Sequence, residues 1–239
     1  MSDDPLPLLL RALRLPTMAE EYARAIAAAE AENWGYRRFL THLAEAETSD
    51  RTTRRIQRML DDSGLPSGKT LASLDLHKWP EKVRRQLPTL LEADFVRRGD
   101  TVCAFGLPGR GKSTFVAALA REWIQRHQLR VLFTPTFKLV GQLLAAKRDL
   151  KLNAALAKLQ RYDALCLDEL GYTQQSSEEG DILFQPVSYT HLDVYKRQGS
   201  GRALGGAGEC GIRVQKKCSR SEVWGKDVGA LCTGGRTQR

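Results

Sequence analysis

The segment Thr101-Val-Cys-Ala-Phe-Gly-Leu-Pro-Gly-Arg-Gly-Lys-Ser113 decides the fold of this chain. Its first part is an apolar run of the kind found in buried parallel strands. The part from Gly106 to Ser113 fits the pattern G-x-x-x-x-G-K-S/T at every fixed position. Residues 114–127, which follow it, carry apolar side chains at helical spacing. Strand, glycine loop and helix are the context that this motif requires, so the segment predicts a parallel α/β fold with a phosphate-binding loop.

The residue types in this loop suit the phosphates of a nucleotide. Glycines let successive backbone N–H groups point inward around phosphate oxygens, and the N-terminus of the following helix adds positive potential. We expect the Lys112 ammonium to reach the β and γ phosphates and the Ser113 hydroxyl to bind Mg²⁺. The predicted nucleotide-binding residues all belong to the loop and the start of its helix: Gly106, Gly109, Arg110, Gly111, Lys112, Ser113 and Thr114.

A second motif lies 56 residues after Lys112, and a predicted strand and helix separate the two. There the apolar run at residues 162–170 contains the acidic pair Asp168-Glu169. The arrangement is typical of a Walker B motif, whose aspartate holds Mg²⁺ and whose glutamate polarises the attacking water as a general base. Such a pair favours hydrolysis over phosphoryl transfer to another acceptor, because only hydrolysis needs a base for water.

The N-terminal region has the pattern of helices. Apolar residues recur at spacings of three and four over residues 6–26 and again over residues 36–63. Pro16 interrupts the first stretch, and Gly64 with Pro66 follows the second as a helix-end signature. We therefore predict a helical region before the α/β domain.

A stripe of arginines in the second helical stretch is the candidate DNA contact. Four of them share about 100° of one helix face at 100° per residue: Arg51, Arg54, Arg55 and Arg58. Such a stripe can neutralise phosphates without reading bases. The alternative is a solvated face whose charges pair with the nearby acidic residues Glu45, Glu47 and Asp50.

The net charge of the chain is +9, but it is unevenly distributed. Residues 1–185 hold 27 Lys+Arg against 24 Asp+Glu, whereas residues 186–239 hold 10 against 4. Most of the excess therefore lies in the shorter segment, and the whole-chain value is weak evidence for nucleic-acid binding. The remaining composition excludes collagen-like, fully disordered and disulfide-scaffold classes. No apolar run approaches the roughly 18 residues of a membrane span, and the acidic start is not a signal peptide, so we expect a cytoplasmic protein with no membrane partner.

Residues 186–239 differ in texture from the rest of the chain. From Gly199 onward they are rich in glycine and show neither helical nor strand periodicity, so we expect disorder. The string Pro186-Val-Ser-Tyr-Thr-His-Leu-Asp-Val-Tyr-Lys-Arg-Gln198 resembles a linker-derived translation appended to unrelated proteins from assembled environmental DNA. We interpret the segment as an artefact of this kind. The alternative is a flexible basic tail that binds nucleic acid.

Residues 1 to about 185 resemble the IstB-like family, the ATP-binding helper proteins of insertion-sequence transposition. The resemblance rests on Leu15-Pro-Thr-Met-Ala-Glu-Glu-Tyr22, on Phe105-Gly-Leu-Pro-Gly-Arg-Gly-Lys-Ser113, and on Leu167-Asp-Glu-Leu-Gly-Tyr172 followed by Leu183-Phe-Gln185. The run that begins at Leu167 is the most specific of these stretches. Bacterial helicase loaders share the same ATPase core and are close relatives.

The resemblance implies an AAA+ ATPase that uses ATP and Mg²⁺. It also implies a homo-oligomer that assembles on double-stranded DNA, bends it, and recruits and regulates a transposase. Lys112 and Glu169 would be the catalytic residues, and Ser113 with Asp168 would bind the metal. The predicted regions are a helical DNA- and partner-binding domain at 1–95, a P-loop domain with an incomplete parallel sheet at 96–185, and the tail at 186–239.

Two departures from the family pattern affect these expectations. Arg110 stands where the family usually has a small or β-branched residue, and we expect it to be tolerated because its side chain can point outward. The family's fourth core strand, sensor residue, arginine finger and fifth strand are not recognisable after Gln185. Because that fourth strand lies between the first and the third, we expect unpaired edges on the strands at 101–105 and 163–168. The chain is thus predicted to bind ATP poorly, hydrolyse it little and aggregate.

Three alternatives remain open from the sequence. The first is a helicase-loader ATPase of DNA replication, which the gene neighbourhood would distinguish. The second is a non-catalytic DNA-binding module that senses ATP, for which a Glu169→Gln variant would retain every activity. The third is that no functional protein is made, which a native reading frame differing after codon 185 would support.

Overall fold

The computed structural model describes residues 4–106, 109–169, 182, 211–215 and 228–234. The chain divides into two compact units, Met1–Arg58 and Met59–Arg239. The predicted boundary between a DNA- and partner-binding domain at 1–95 and a P-loop domain at 96–185 divides the chain by function, and it stays a prediction. Within the described ranges no helix combines the length and the apolar character that a membrane crossing requires. The predicted class is confirmed: a helical N-terminal region precedes an α/β P-loop domain.

The first unit is helical. Its helices are α1 (Leu6–Ala12), α2 (Pro16–Ala31) and α3 (Tyr36–Asp62), of which α3 runs past the end of the unit. Pro16 occupies the first position of α2. A proline is tolerated there because the first N–H groups of a helix have no partner within the helix. The predicted interruption at Pro16 is therefore confirmed.

The second unit contains the α/β domain and the segment that leads into it. After two 3₁₀ turns, Leu71–Ser73 and Leu76–Lys78, the elements follow in the order α4 (Glu81–Leu91), α5 (Asp94–Arg98), β1 (Thr101–Phe105), α6 (Lys112–His127), β2 (Val131–Pro135), α7 (Thr136–Arg148), α8 (Leu152–Leu159), β3 (Ala164–Asp168), β4 (Gly211–Gln215) and β5 (Val228–Gly234). Strands and helices thus alternate through most of the domain, which is the pattern of a parallel α/β core.

The strands form one sheet in the order β2-β3-β5-β1-β4. Strands β2 and β3 are parallel, with Pro135 in register with Asp168 at their carboxyl ends. Strand β5 is antiparallel to both β1 and β3, and β4 is antiparallel to β1. The carboxyl ends of β1, β2 and β3 carry the loop motif and the acidic pair, so this edge of the sheet holds the candidate site.

The expectation that β1 and β3 lack a neighbour is wrong, so unpaired strands no longer give a reason to expect poor ATP binding or aggregation. Strand β5 lies between them, and its Cys232 is in register with Val102 on one side and with Cys166 on the other. Strand ladders are made by backbone groups, so an extended segment of almost any sequence can supply them when an edge is open. Two stretches of residues 186–239, which we predicted to be disordered, therefore form strands; the rest of that segment lies outside the described residues.

The core of the second unit is built around α6. Trp123, Leu119 and Ile124 have no exposed surface, and Phe115 has almost none. The Trp123 indole donates a hydrogen bond to the Leu90 carbonyl at 2.7 Å. Each large side chain buried in this way contributes about 1.5–3 kcal/mol, so α6 is firmly held, and with it the loop that precedes the helix.

The chain that follows α3 lies against β2. The Ser63 carbonyl accepts a hydrogen bond from the Phe133 N–H at 2.7 Å. Gly64 has a φ of +70°, and a Cβ added there would lie 2.7 Å from the Phe133 carbonyl oxygen. Both the left-handed backbone and the close approach require glycine. The helix-end signature predicted at Gly64 is confirmed, and it has a packing role as well.

Candidate nucleotide-binding site

The glycine loop connects β1 to α6, as the sequence predicts. Gly111 precedes the first residue of α6 with a φ of +80°, and Gly109 has a φ of +76°. Residues other than glycine rarely adopt a positive φ of this kind, because their Cβ then approaches the following carbonyl. Residues 107–108 of the motif lie outside the described residues. The described part of the loop therefore has the backbone form that directs N–H groups toward an anion.

Lys112 is the first residue of α6, and its side chain folds back over the loop. The residue is 7% exposed, and its Nζ donates to the Gly106 carbonyl at 2.6 Å. The ammonium group consequently lies at the junction of β1 and the loop. A cation at this place, next to the N-terminus of a helix, gives the loop a strongly positive character.

The two sequence motifs meet through a hydrogen bond. Ser113, in the first turn of α6, donates from Oγ to Oδ1 of Asp168 at 2.6 Å. Asp168 is the last residue of β3, and 55 residues separate the two along the chain. A hydroxyl and a carboxylate are hard oxygen ligands, which suit Mg²⁺.

The oxygens of Ser113 and Asp168 suit a metal ion that water and phosphate oxygens also bind. Among the described residues no group of three or more His, Cys, Asp or Glu side chains is placed to bind a metal. Mg²⁺ in nucleotide sites is bound by one or two protein ligands together with water and phosphate oxygens. Ser113 and Asp168 provide such a partial ligand set.

The acidic pair forms a turn at the end of β3. The Glu169 N–H donates to Oδ1 of Asp168 at 3.0 Å. Glu169 has a φ of +59° and an exposed side chain. The turn ends the strand and separates the two carboxylates, so Asp168 remains beside Ser113 while Glu169 faces solvent. This arrangement suits one carboxylate that binds a metal and another that reaches a water molecule.

Two residues of the site were not identified from the sequence. The hydroxyl of Thr136, a fully buried residue at the start of α7, donates to the backbone carbonyl of Asp168 at 2.7 Å. Trp79 is buried against Phe115 with ring centroids 4.6 Å apart, and its Cζ2 would lie 3.6 Å from a Cβ on Gly111. Neither residue belongs to a motif or a periodic pattern, so no signal in the sequence could have found them.

The remaining predicted loop residues differ in exposure. Arg110 is exposed, and Thr114 is half-buried in the first turn of α6. An exposed Arg110 agrees with the idea that its side chain points outward, and its tolerance stays a prediction. Cys103 and Cys166 are buried within β1 and β3, where they pack as small core residues.

The arginine stripe lies on α3, in the first unit, and its four side chains are exposed. Arg51 pairs with Glu47 at 3.0 Å, and Arg54 pairs with Asp50 at 2.9 Å. Two of the four arginines therefore pair with nearby carboxylates, as the alternative of a solvated helix face predicts. Glu47 differs from the usual surface partner because it is buried.

Arg55 and Arg58 are engaged differently from Arg51 and Arg54. Arg58 donates from Nε to the Arg54 carbonyl at 3.2 Å, which leaves its charge uncompensated by that contact. The structure gives Arg55 no carboxylate partner among the described residues. These two arginines are consequently the members of the stripe most available to an external anion.

The fold and the site define a P-loop α/β protein: a glycine loop between strand and helix, a lysine over the loop, and a serine bonded to the aspartate of a neighbouring strand. Comparison with known families agrees. Residues 8–193 match the family described as IstB-like ATP binding protein, and the chain belongs to that family. The matched range ends at residue 193, a few residues beyond Gln185, after which the composition of the sequence changes.

Individual relatives carry names from the same family. The chain is 38% identical over 184 residues to an insertion-sequence ATP-binding protein named y4iQ/y4nD/y4sD in Sinorhizobium fredii, a match that covers 77% of this chain and 61% of that protein. It is 31% identical to the protein named for IS5376 in Geobacillus stearothermophilus, covering 76% of this chain and 73% of the relative. For the protein named for IS21 in Pseudomonas aeruginosa the identity is 30%, with 75% and 68% covered. The chain thus spans less than two thirds of the Sinorhizobium relative.

Proposed function

We propose that the intact protein is a cytoplasmic ATPase that assists DNA transposition. It binds ATP with Mg²⁺ at the glycine loop, assembles as a homo-oligomer on double-stranded DNA, and recruits and regulates a transposase. The observation that carries the ATPase part is the 2.6 Å hydrogen bond between Ser113 and Asp168, which joins the two motifs in one site. The relatives' names, which link ATP binding to insertion sequences, support the transposition part.

The chemistry follows from the positions of the side chains. When bound, Mg²⁺ supplies a positive charge that offsets the negative charge of the phosphates. Lys112 and the loop N–H groups hold the phosphates and stabilise the charge that develops during transfer. Ser113 and Asp168 would hold the metal, and the exposed carboxylate of Glu169 would accept a proton from the attacking water.

Nucleotide binding is tested by titrating a fluorescent ATP analogue into the wild-type chain and into Lys112→Ala. Loss of a charge-assisted contact to phosphate should weaken binding about tenfold or more. Lys138→Ala is the matched control, because Lys138 is an exposed lysine on α7. Equal affinities for Lys112→Ala and the wild type would refute the proposed nucleotide site.

Hydrolysis needs its own test. We expect Glu169→Gln to keep nucleotide affinity while slowing phosphate release by about 100-fold or more, because a general base contributes about 10²–10⁴-fold. A Glu169→Gln chain that hydrolyses ATP as fast as the wild type would refute the role of Glu169 as general base. ATP binding without hydrolysis in both chains would favour the non-catalytic ATP-sensing alternative.

DNA contact is proposed for the part of the stripe that the fold does not use. We assign the phosphate contacts to Arg55 and Arg58, since Arg51 and Arg54 are paired with carboxylates. The double variant Arg55→Ala/Arg58→Ala should weaken binding to duplexes of any sequence. The slope of log K against log salt concentration should fall by about the amount expected for two lost phosphate contacts. Arg24→Ala, which removes an exposed arginine of α2, is the control. An unchanged salt dependence in the double variant would exclude this surface.

A further inference from the structure

We propose that Thr136 is a positioning residue for the acidic pair. It holds the peptide between Asp168 and Glu169 so that Asp168 faces Ser113 and Glu169 faces outward. The proposal rests on the nucleotide site described above and adds a residue that neither motif contains.

The peptide between Asp168 and Glu169 is held at both of its polar ends. Its carbonyl accepts a hydrogen bond from the Thr136 hydroxyl at 2.7 Å, and its N–H donates to Oδ1 of Asp168 at 3.0 Å. The same Oδ1 accepts the Ser113 hydroxyl. A rotation of this peptide would therefore disturb the carboxylate that Ser113 contacts, and it would redirect the backbone of Glu169.

A positioning contact is needed here because the backbone conformation is unfavourable. Glu169 has a φ of +59°, a region that costs an ordinary side chain roughly 1 kcal/mol or more. Such a conformation persists only when the surrounding structure determines it. The Thr136 hydroxyl is a side-chain contact from outside the turn that holds its carbonyl.

The position of Thr136 at the junction of β2 and α7 brings its hydroxyl to the acidic pair. Pro135, which is in register with Asp168 at the end of the ladder, has no backbone N–H to donate. Thr136 follows directly and is fully buried, so its hydroxyl lies at the end of the ladder within reach of the Asp168 carbonyl. As the first residue of α7, Thr136 is also fixed by the helix.

The test compares Thr136→Val with Thr136→Ser in the full chain. Valine keeps the branched shape without the donor, and serine keeps the donor. Thr134→Val is the control, since Thr134 is also buried and its hydroxyl contacts the Pro135 carbonyl at 3.4 Å. We measure the Mg²⁺ concentration at which a fluorescent ATP analogue is half-bound, and separately the affinity for the analogue in EDTA.

We expect Thr136→Val to raise that Mg²⁺ concentration about tenfold, the effect typical of residues that orient a metal ligand. Affinity in EDTA should stay within about twofold, because the loop itself is unchanged. Thr136→Ser and Thr134→Val should behave like the wild type. Without nucleotide, the Glu169 amide should exchange with solvent about tenfold faster in Thr136→Val, because the peptide is no longer held.

The proposal is overturned when Thr136→Val matches the wild type in both measurements, or when Thr134→Val shifts them equally. If Thr136→Val does not fold, Thr136→Ala is compared with Thr136→Ser, and equal Mg²⁺ dependence in that pair overturns it. Failure of the nucleotide site looks different: the wild type then shows no Mg²⁺-dependent binding, or Lys112→Ala binds as well as the wild type. That result removes the proposal together with the site.

Discussion

Replacing Glu47 by alanine should destabilise the first unit, because this buried carboxylate caps a helix from another part of the chain. Its Oε2 accepts the N–H groups of Thr17 at 2.8 Å and Met18 at 3.1 Å. These are first-turn donors of α2, whose preceding residue Leu15 offers no side-chain acceptor. The carboxylate thus supplies from α3 what a serine or aspartate usually supplies locally.

The magnitude follows from these contacts. A hydrogen bond to a charged acceptor contributes about 1.5–3 kcal/mol, and loss of an N-cap costs about 0.5–2 kcal/mol. After the substitution, water forms hydrogen bonds with the two freed N–H groups and offsets part of the lost stability. The ion pairs add little, because the Arg51 and Arg54 side chains are 53% and 43% exposed and such pairs contribute about 0–1 kcal/mol. We therefore expect a loss of about 2–4 kcal/mol.

Amide hydrogen exchange in α2 of the full chain measures the effect locally. Glu47→Ala should speed the amide exchange of residues 16–31. Glu47→Gln keeps an acceptor oxygen without the charge, so it should lower the stability of α2 by only about 1 kcal/mol. Glu45→Ala is the control, since Glu45 is an exposed glutamate on the same helix. The capping role would be refuted if the opening free energy of α2, obtained from the exchange rates, stayed within about 0.5 kcal/mol of the wild-type value in Glu47→Ala.

Three further predictions concern the second unit. Gly64→Ala should lower the unfolding free energy by about 1–3 kcal/mol, because its Cβ meets the Phe133 carbonyl; an unchanged denaturation midpoint would contradict this. Trp123→Phe should cost about 1–3 kcal/mol by leaving the Leu90 carbonyl without its donor, measured by chemical denaturation against Trp34→Phe as a control. Arg110→Ala should leave affinity for a fluorescent ATP analogue within about twofold, since the residue is exposed; a larger loss would indicate a phosphate contact.

The parts of the fold that depend on local pattern were predictable. The strand at 101–105 is confirmed, and the helix predicted at 114–127 begins two residues earlier, at Lys112. Within the run at 162–170, residues Ala164–Asp168 form the strand, and the turn at Glu169 follows it. Glycine spacing and apolar periodicity express short-range geometry, which the sequence states directly.

The parts that depend on distant contacts were not predictable. Glu47 caps a helix that begins about 30 residues before it, and Thr136 bonds a carbonyl 32 residues after it. Strand β5 fills the position between β1 and β3 through backbone pairing, which leaves little trace in residue types. Contacts of this kind are fixed by the folded arrangement, so a single sequence does not reveal them.

The position of Trp79 has a practical consequence. Its ring packs between Phe115 and the glycine loop, close to Gly111. A change in loop structure on ligand binding would alter the surroundings of this indole and hence its emission. The chain therefore carries an intrinsic optical probe at its candidate site. Subtracting the spectrum of Trp79→Phe from that of the wild type isolates this signal from the other three tryptophans, and it allows unlabelled nucleotides to be compared.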